Sequence, residues 1–407
     1  MTVALPLTRS AAVSAWAEFL PQVASYAWRR NQVEVGHRHV SRLSPALRHR
    51  LISEDELISD TLKKYDFKAA EKWLQEISWR RYWKGWLEAR PQVWSEWRQR
   101  VDELRATLPQ RVLEKADAVA AGESGVACMD LIARELVETG YLHNHARMWW
   151  ASFWIHAEGL PWELGADFFF RYLLDADPAS NTLSWRWVAG LQTPGKTYLV
   201  RLSNLEKYAT KVLLSDRTGS ERIADGAVKP APQAAIAKPE RHALPVYPTE
   251  FRHTEGRSGL WLHTDDLSPE MSPLAAFTPV AIAGFPGQNV DGSKSNLSET
   301  RQAALDTVMS DGLERAATHF KCPTALLDGE GLAEWAQSQQ LTEVVALAPN
   351  VGPVGDLLPR LSAELDAKGV TLTLIQRPSD VHAFALAGAG FFPFWEKMSR
   401  HLQQSRP

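Results

Sequence analysis

Three short strings gather side chains that do chemistry together. The first is Trp73-Leu-Gln-Glu76-Ile-Ser-Trp79-Arg80-Arg-Tyr-Trp83. On a helix, positions three and four apart meet, so Trp73, Glu76, Arg80 and Trp83 share a face and Trp79 lies beside it. Two readings are open at this point. An amphipathic helix anchored by aromatics has this spacing. So does a pocket wall in which indoles sandwich a flat ligand while a carboxylate meets its polar edge. The second string is Thr139-Gly140-Tyr141-Leu142-His143-Asn144-His145-Ala146-Arg147-Met148. His143 and His145 diverge on a helix, which disfavours a metal pair, and no metal is expected. The third, Asp175-Ala-Asp177-Pro-Ala-Ser-Asn181-Thr-Leu-Ser-Trp185-Arg-Trp187, packs two carboxylates, an amide and two indoles into 13 residues. A helix cap formed by the aspartates, with the indoles in the core, accounts for the same residues.

No P-loop, GxGxxG, GxSxG or HExxH accompanies these strings. With only Cys128 and Cys322, a disulfide framework, a four-cysteine zinc site and an iron–sulfur cluster are excluded. No apolar run reaches the roughly 18 residues of a spanning helix, and the N-terminus lacks the pattern of a secretory signal. A soluble protein in a reducing cytoplasm is the expectation. Charge is divided unevenly: from Gly259 onward there are 10 basic residues against 17 acidic, and before it 35 against 31. If a polyanion is bound, the first segment binds it. Tryptophan is divided too, with 14 of the 17 in the first 200 residues.

Apolar residues at three- and four-residue spacing, as in Val101–Val119 and Met129–His156, predict helices through residues 1–215. Ser53 followed by Glu54, Asp55 and Glu56 reads as a capped helix start. Residues 216–257, rich in Pro and Ala, read as an extended linker. Residues 258–407 then alternate short apolar runs with helical stretches. Strands are expected at Gly259–His263, Pro279–Ala283, Thr324–Leu327, Glu343–Leu347 and Thr371–Ile375, and helices at Glu299–His319, Leu332–Gln340 and Gly355–Lys368. That alternation predicts a mostly parallel sheet with helices on its faces. The expected architecture is an all-α domain followed by an α/β, Rossmann-like domain.

In order and spacing the strings resemble the FAD-binding domain of the photolyase/cryptochrome family, from about Tyr26 to Asn204. Val40-Ser41-Arg42-Leu43-Ser44-Pro45 is similar to the family's Thr-Ser-Arg-Leu-Ser-Pro stretch, and Trp73–Trp83 to its Trp-x-x-Glu-x-x-Trp-Arg helix. His143-Asn144 with Arg147, Asp175-x-Asp177 with Asn181, Trp185-x-Trp187 and Arg201-Leu-Ser-Asn204 follow. The resemblance implies non-covalent FAD held by residues 1–210 alone. Ser41, Leu43 and Ser44 would cradle its pyrophosphate, with Tyr26 near the phosphates. Arg147 and Asp175 would pair beside the flavin, Asp177 would accept from the ring and Asn181 would face N5. Trp73, Arg80 and Asn144 complete the implied cofactor set. It also implies a lesion pocket for UV-damaged DNA, with Glu76 on the thymine pair, Trp79 and Trp187 as walls and Met148 as floor. Asn144 would be an amide contact there, and Arg30, Arg80 and Arg201 match positions that hold DNA phosphates or the pocket itself. Trp185 and then Trp162 would relay electrons inward.

Departures are visible as well. Val40 stands for a Thr, His145 for an Arg on DNA phosphate, and Arg50 where a Gly is common, so a differently built turn is expected there. The family's α/β antenna domain usually comes first. Here Leu260-Trp-Leu-His-Thr-Asp265-Asp266-Leu267 is similar to its opening strand and turn, and Gly390–Trp395 to its exit, which implies a circular permutation. The acidic turn argues that this half avoids DNA. The glycine-bearing loop Asn350–Asp356 is a candidate seat for a second, antenna chromophore. The implied function is light-driven splitting of cyclobutane pyrimidine dimers; the alternative is a blue-light receptor without repair.

Overall fold

Local signals place the helix ends. Ser53 Oγ accepts from Glu56 N at 3.3 Å and the Glu56 carboxylate takes Ser53 N at 2.9 Å, a reciprocal cap that starts the fourth helix where the sequence marks it. Proline and glycine break the longer periodic stretches, Pro109 dividing Val101–Val119 and Gly140 ending one helix before the next begins. In the computed structural model residues 4–192, 197–233, 238–252, 256–285, 297–327 and 331–404 are described. The first part holds helices α1 (Arg9–Phe19), α2 (Tyr26–Arg29), α3 (Ser44–Arg48), α4 (Glu54–Lys64), α5 (Phe67–Glu88), α6 (Gln92–Thr107) and α7 (Gln110–Ala120). It continues through α8 (Ala127–Thr139), α9 (Asn144–Ser152), α10 (Trp162–Tyr172), α11 (Pro178–Val188) and α12 (Leu202–Tyr208).

Five parallel strands follow, β1 (Ser258–Leu262), β2 (Ile282–Gly284), β3 (Thr324–Leu326), β4 (Glu343–Leu347) and β5 (Thr371–Ile375), in the order β3-β2-β1-β4-β5. Their helices are α13 (Glu299–Phe320), α14 (Leu332–Ser338), α15 (Leu358–Asp366), α16 (Pro378–Leu386) and α17 (Phe391–Gln404). The Pro-rich stretch between the two parts runs as a pinned strap: Ala231 N donates to His156 Nδ1, His242 N to Ala89 O, and Gln376 N to Pro248 O.

The two parts share one apolar core, which runs from Trp16 and Trp73 through to Leu260, Phe394 and Trp395. α16 lies against α5 so closely that a Cβ on Gly85 would come within 2.6 Å of the Phe384 backbone. Beside this contact is a buried ion network. Arg50 pairs with Asp266 at 3.0 Å and Asp380 at 2.6 Å, Arg377 with Asp266 at 2.7 Å, and Arg48 with Asp265 at 2.8 Å.

Two expectations change here. Arg50 has φ 52°, the left-handed conformation that glycine adopts readily, so no different turn is built; the two carboxylates hold a residue that would otherwise avoid it. The acidic turn is no surface feature, because Asp265 and Asp266 are buried and neutralised by arginines of α3, its following turn and the β5–α16 loop. Its charge therefore says nothing about DNA. The Asn350–Asp356 loop, at the point where the strand order reverses between β1 and β4, is occupied by the helical part. Val351 N donates to Glu88, Trp94 Nε1 donates to Asp356, and a Cβ on Gly352 would meet Pro178 at 2.5 Å. Among the described residues, the helical part packs directly on that loop.

Candidate functional site

Helix α5 carries its chemistry along one side. Trp73, near the start, is a core anchor: its ring lies 5.5 Å from Trp16, 5.2 Å from Phe19 and 5.1 Å from Tyr26, and its Nε1 donates to Thr61. One turn on, Glu76 keeps 24% exposure and pairs with Arg30 at 3.1 Å and Lys72 at 3.3 Å. Arg80 reaches Ser44 O at 3.5 Å and the Asp177 carboxylate at 3.6 Å. Lys84, a further turn along and buried, lies 3.9 Å from Asp177. Trp79 lies beside this face. It stacks on Phe391 of α17 at 3.7 Å and 7°, against Trp83 and Tyr82.

The second string supplies the opposite wall. His143 caps α9, accepting from His145 N through Nδ1, and burial with His37 nearby lowers its pKa to about 3, so it is neutral. Arg147, one turn into α9, grips Asp175 with both Nη atoms at 3.0 and 2.8 Å and donates its Nε to Leu142 O. Burial pushes the Asp175 carboxyl up, but Arg147, the Ser44 hydroxyl and Arg80 outweigh it and hold the group below the usual range. Asp177 caps α11 by accepting from Ser180 N at 2.8 Å, as the helix-cap reading of this residue expects. Burial opposes its ionisation; Lys84, Arg80 and Arg48 more than offset it and bring the carboxyl to about 2.

Ser44, Arg80, Arg147, Asp175 and Asp177 therefore form one cluster, and Tyr26 reaches it through Tyr141, Arg30 and Glu76. The inner end, between Arg48, Lys84, Glu88, Asp177 and Asp265, holds a cavity of about 10 Å³, room for one water. It is closed to a ring system. At the outer end Arg147, Glu76 and Arg30 keep 23 to 25% exposure. The donor set there suits a flavin dinucleotide. Arg80 Nη1 is buried without a hydrogen-bond partner, as a group awaiting an anion would be, and the aspartates are ionised acceptors for ring N–H groups. Ser41 turns its hydroxyl back to Leu43 N at 3.3 Å, while Leu43 itself is buried.

Other expected residues lie around this cluster. Asn144 is exposed at the start of α9, with Nδ2 3.9 Å from Met148 Sδ. Trp187 packs on Tyr198 at 5.7 Å, and Arg201 is exposed before α12. Asn181 is buried and spends Nδ2 on Ala166 O. Trp185 is buried against Phe169 at 5.1 Å and Trp150 at 6.2 Å; Trp162 is not among its described ring neighbours. Sequence reasoning missed Lys84, Arg48 and Arg301. Lys84 was within reach of it, four residues after Arg80 on the same face. Arg301, whose buried guanidinium is shifted down to about 9 by burial and Arg48, comes from α13 and left no local signal.

Residues 73–217 match the family model of the FAD binding domain of DNA photolyase. The helical part is thus similar to the FAD-binding domain of the photolyase/cryptochrome family. Among curated proteins, the deoxyribodipyrimidine photo-lyase of Streptomyces griseus is 34% identical over 154 residues, 38% of this chain and 32% of that protein. That of Salmonella typhimurium is 30% identical over 203 residues, 47% of this chain and 41% of that protein. The chain thus spans a third to two fifths of the length of these relatives. A solved bacterial class III photolyase from Agrobacterium tumefaciens aligns with TM-score 0.42 at 25% identity, covering 49% of this chain and 42% of that one. The matched residues take in every expected site position from Trp73 to Arg201, whereas Tyr26, Arg30 and Ser41–Ser44 precede them. Among the described residues no helix is long and apolar enough to cross a membrane, and no group of three His, Cys, Asp or Glu is placed to hold a metal.

Proposed function

We propose that this photolyase relative binds FAD at the Arg147–Asp175 cluster and repairs cyclobutane pyrimidine dimers in DNA. The observation that carries the reading is the bidentate Arg147–Asp175 pair, bonded to Ser44 and set beside Arg80 and a second ionised carboxylate, Asp177. Reduced FAD, when bound, supplies a light-excited electron; the chain supplies position and field. Ser41, Leu43 and Ser44 would cradle the phosphates, and Asp175 and Asp177 would accept from the ring edge. Glu76 would hydrogen-bond the imide edge of the damaged pair, between Trp79 and Trp187 as walls and Met148 as floor. Arg30, Asn144 and Arg201 would contact the strand. The chain order, helices first and sheet last, is read as a circular permutation of the family arrangement.

A second reading, a flavin light receptor without repair, draws on the stack of Phe391 over Trp79, which covers one face of a proposed lesion wall. One experiment separates the two. The protein is reconstituted with FAD, reduced, mixed with an oligonucleotide carrying a thymine dimer and illuminated, and regained thymine absorbance is followed. Repair is expected, and Glu76→Ala should cut it about 10- to 150-fold, the worth of one charge-assisted hydrogen bond, with the flavin spectrum unchanged. FAD uptake without repair would favour the receptor. A protein that stays colourless would sink both.

A further inference from the structure

Of the 17 tryptophans, Trp28 alone is exposed, at 68%. An isolated apolar side chain on a surface is ordinary, but Trp28 is not isolated. It stands in the single turn of α2 between Tyr26 and two arginines, Arg29 exposed and Arg30 paired with Glu76. The chain just beyond it is tied to the end of α12, with Val33 N donating to Tyr208 O and Thr210 N to Val33 O. Two further exposed apolar residues, Val35 and Val212, lie in these joined segments.

Charge there is mostly of one sign. Arg29, Arg38, Arg201, Lys207 and Lys211 are exposed, whereas Glu34 is engaged by Arg38 and His39, Glu76 by Arg30 and Lys72, and Glu206 by Arg217. Exposed cations around an outward-facing indole complement a strand that offers phosphates and flat bases in alternation. The Arg30–Glu76 ion pair puts this surface beside the residue assigned to the damaged bases.

We propose that Trp28 is a stacking platform for an unpaired base of the DNA strand, at the rim of the Glu76 site, with Arg29 and Lys207 or Lys211 on neighbouring phosphates. This rests on the DNA reading above, and the test separates the two. The full-length protein is titrated at low salt with a fluorescently labelled single-stranded oligonucleotide, with and without one thymine dimer. Trp28→Ala should weaken binding about 5- to 150-fold, the usual effect of removing one stacking ring. Trp28→Phe should retain most of the affinity, and Leu326→Ala, an exposed site on the β3 edge, should change nothing. In the parent, acrylamide should quench a Trp28 component that is missing in Trp28→Ala, and the oligonucleotide should protect it. Equal binding by the parent and Trp28→Ala overturns the stacking role and leaves the DNA reading standing. So does equal weakening by Trp28→Phe and Trp28→Ala, or protection that appears on concentrating the protein without DNA. A parent that binds neither oligonucleotide removes both.

Discussion

Replacing Glu88 by Gln reads out the electrostatics of the junction between α5 and the β4 loop. Glu88 is buried at the end of α5, and its Oε1 accepts from Val351 N at 2.6 Å. Burial pushes its carboxyl up from the ordinary 4.5 to about 7. The Val351 hydrogen bond and Lys84 pull the other way, and Asp265 and Asp380 add to the rise. An acid that holds its proton more tightly when folded stabilises the fold at low pH. That contribution is complete below 4.5 and is lost as pH climbs to 7, because in this window the folded chain keeps a proton that the unfolded chain has released. Each pH unit costs about 1.4 kcal/mol, so about 3 kcal/mol disappears between pH 4 and pH 8. Gln keeps an acceptor for Val351 N and cannot ionise. Guanidinium unfolding followed by tryptophan fluorescence from pH 4 to 8 should show Glu88→Gln gaining on the parent by about 3 kcal/mol, with the gain levelling off above pH 7. A gap that stays flat with pH, or that narrows, would refute the burial argument.

Two further substitutions probe the junction and the indole path. Arg50→Ala should cost about 3–5 kcal/mol by stranding Asp380, and Arg50→Gly about 1 kcal/mol less because glycine tolerates φ 52°; equal losses in denaturant would sink the left-handed account. In FAD-loaded protein with a mild reductant, Trp185→Phe should abolish light-driven flavin reduction. Trp150→Phe should slow it more than Trp162→Phe does, since Trp150 is the indole found 6.2 Å from Trp185. A stronger effect at Trp162 would restore the route that the family resemblance implies.

Where periodicity and punctuation act together, the sequence is readable. β4 and β5 lie at the expected residues because an apolar run between turn residues leaves one choice. β2 begins three residues later than expected, at Ile282, since Pro279–Ala283 has no internal mark for where pairing to β1 and β3 starts. The same limit governs the site. Helical spacing brings Glu76 and Arg80 to one face, and a turn followed by a helix brings Asp175 and Asp177 together. No spacing rule could place Arg48 or Arg301 beside them, because those contacts depend on how α3 and α13 dock. The acidic turn was misleading for a related reason: a charge count carries a sign but no direction, and Asp265 and Asp266 face inward.

The turns of α5 differ in what they face. Trp73 is a core anchor and Glu76 and Arg80 are partly open, while Trp79 lies under an aromatic from the far end of the chain. That division bears on whether residues 1–210 could hold a flavin by themselves, as the family resemblance implies. Arg48 and Arg50 are buried, and their carboxylate partners Asp265, Asp266 and Asp380 all come from beyond residue 258. Without that part, Phe391 would leave Trp79 and two guanidiniums would lose the charges that offset their desolvation, and stranding a buried charge costs about 3–5 kcal/mol. Arg48 also lines the inner cavity with Lys84 and Asp177, so its neutralisation by Asp265 sets the field at that end of the cluster. The sheet part is therefore a wall of the cluster as well as its neighbour.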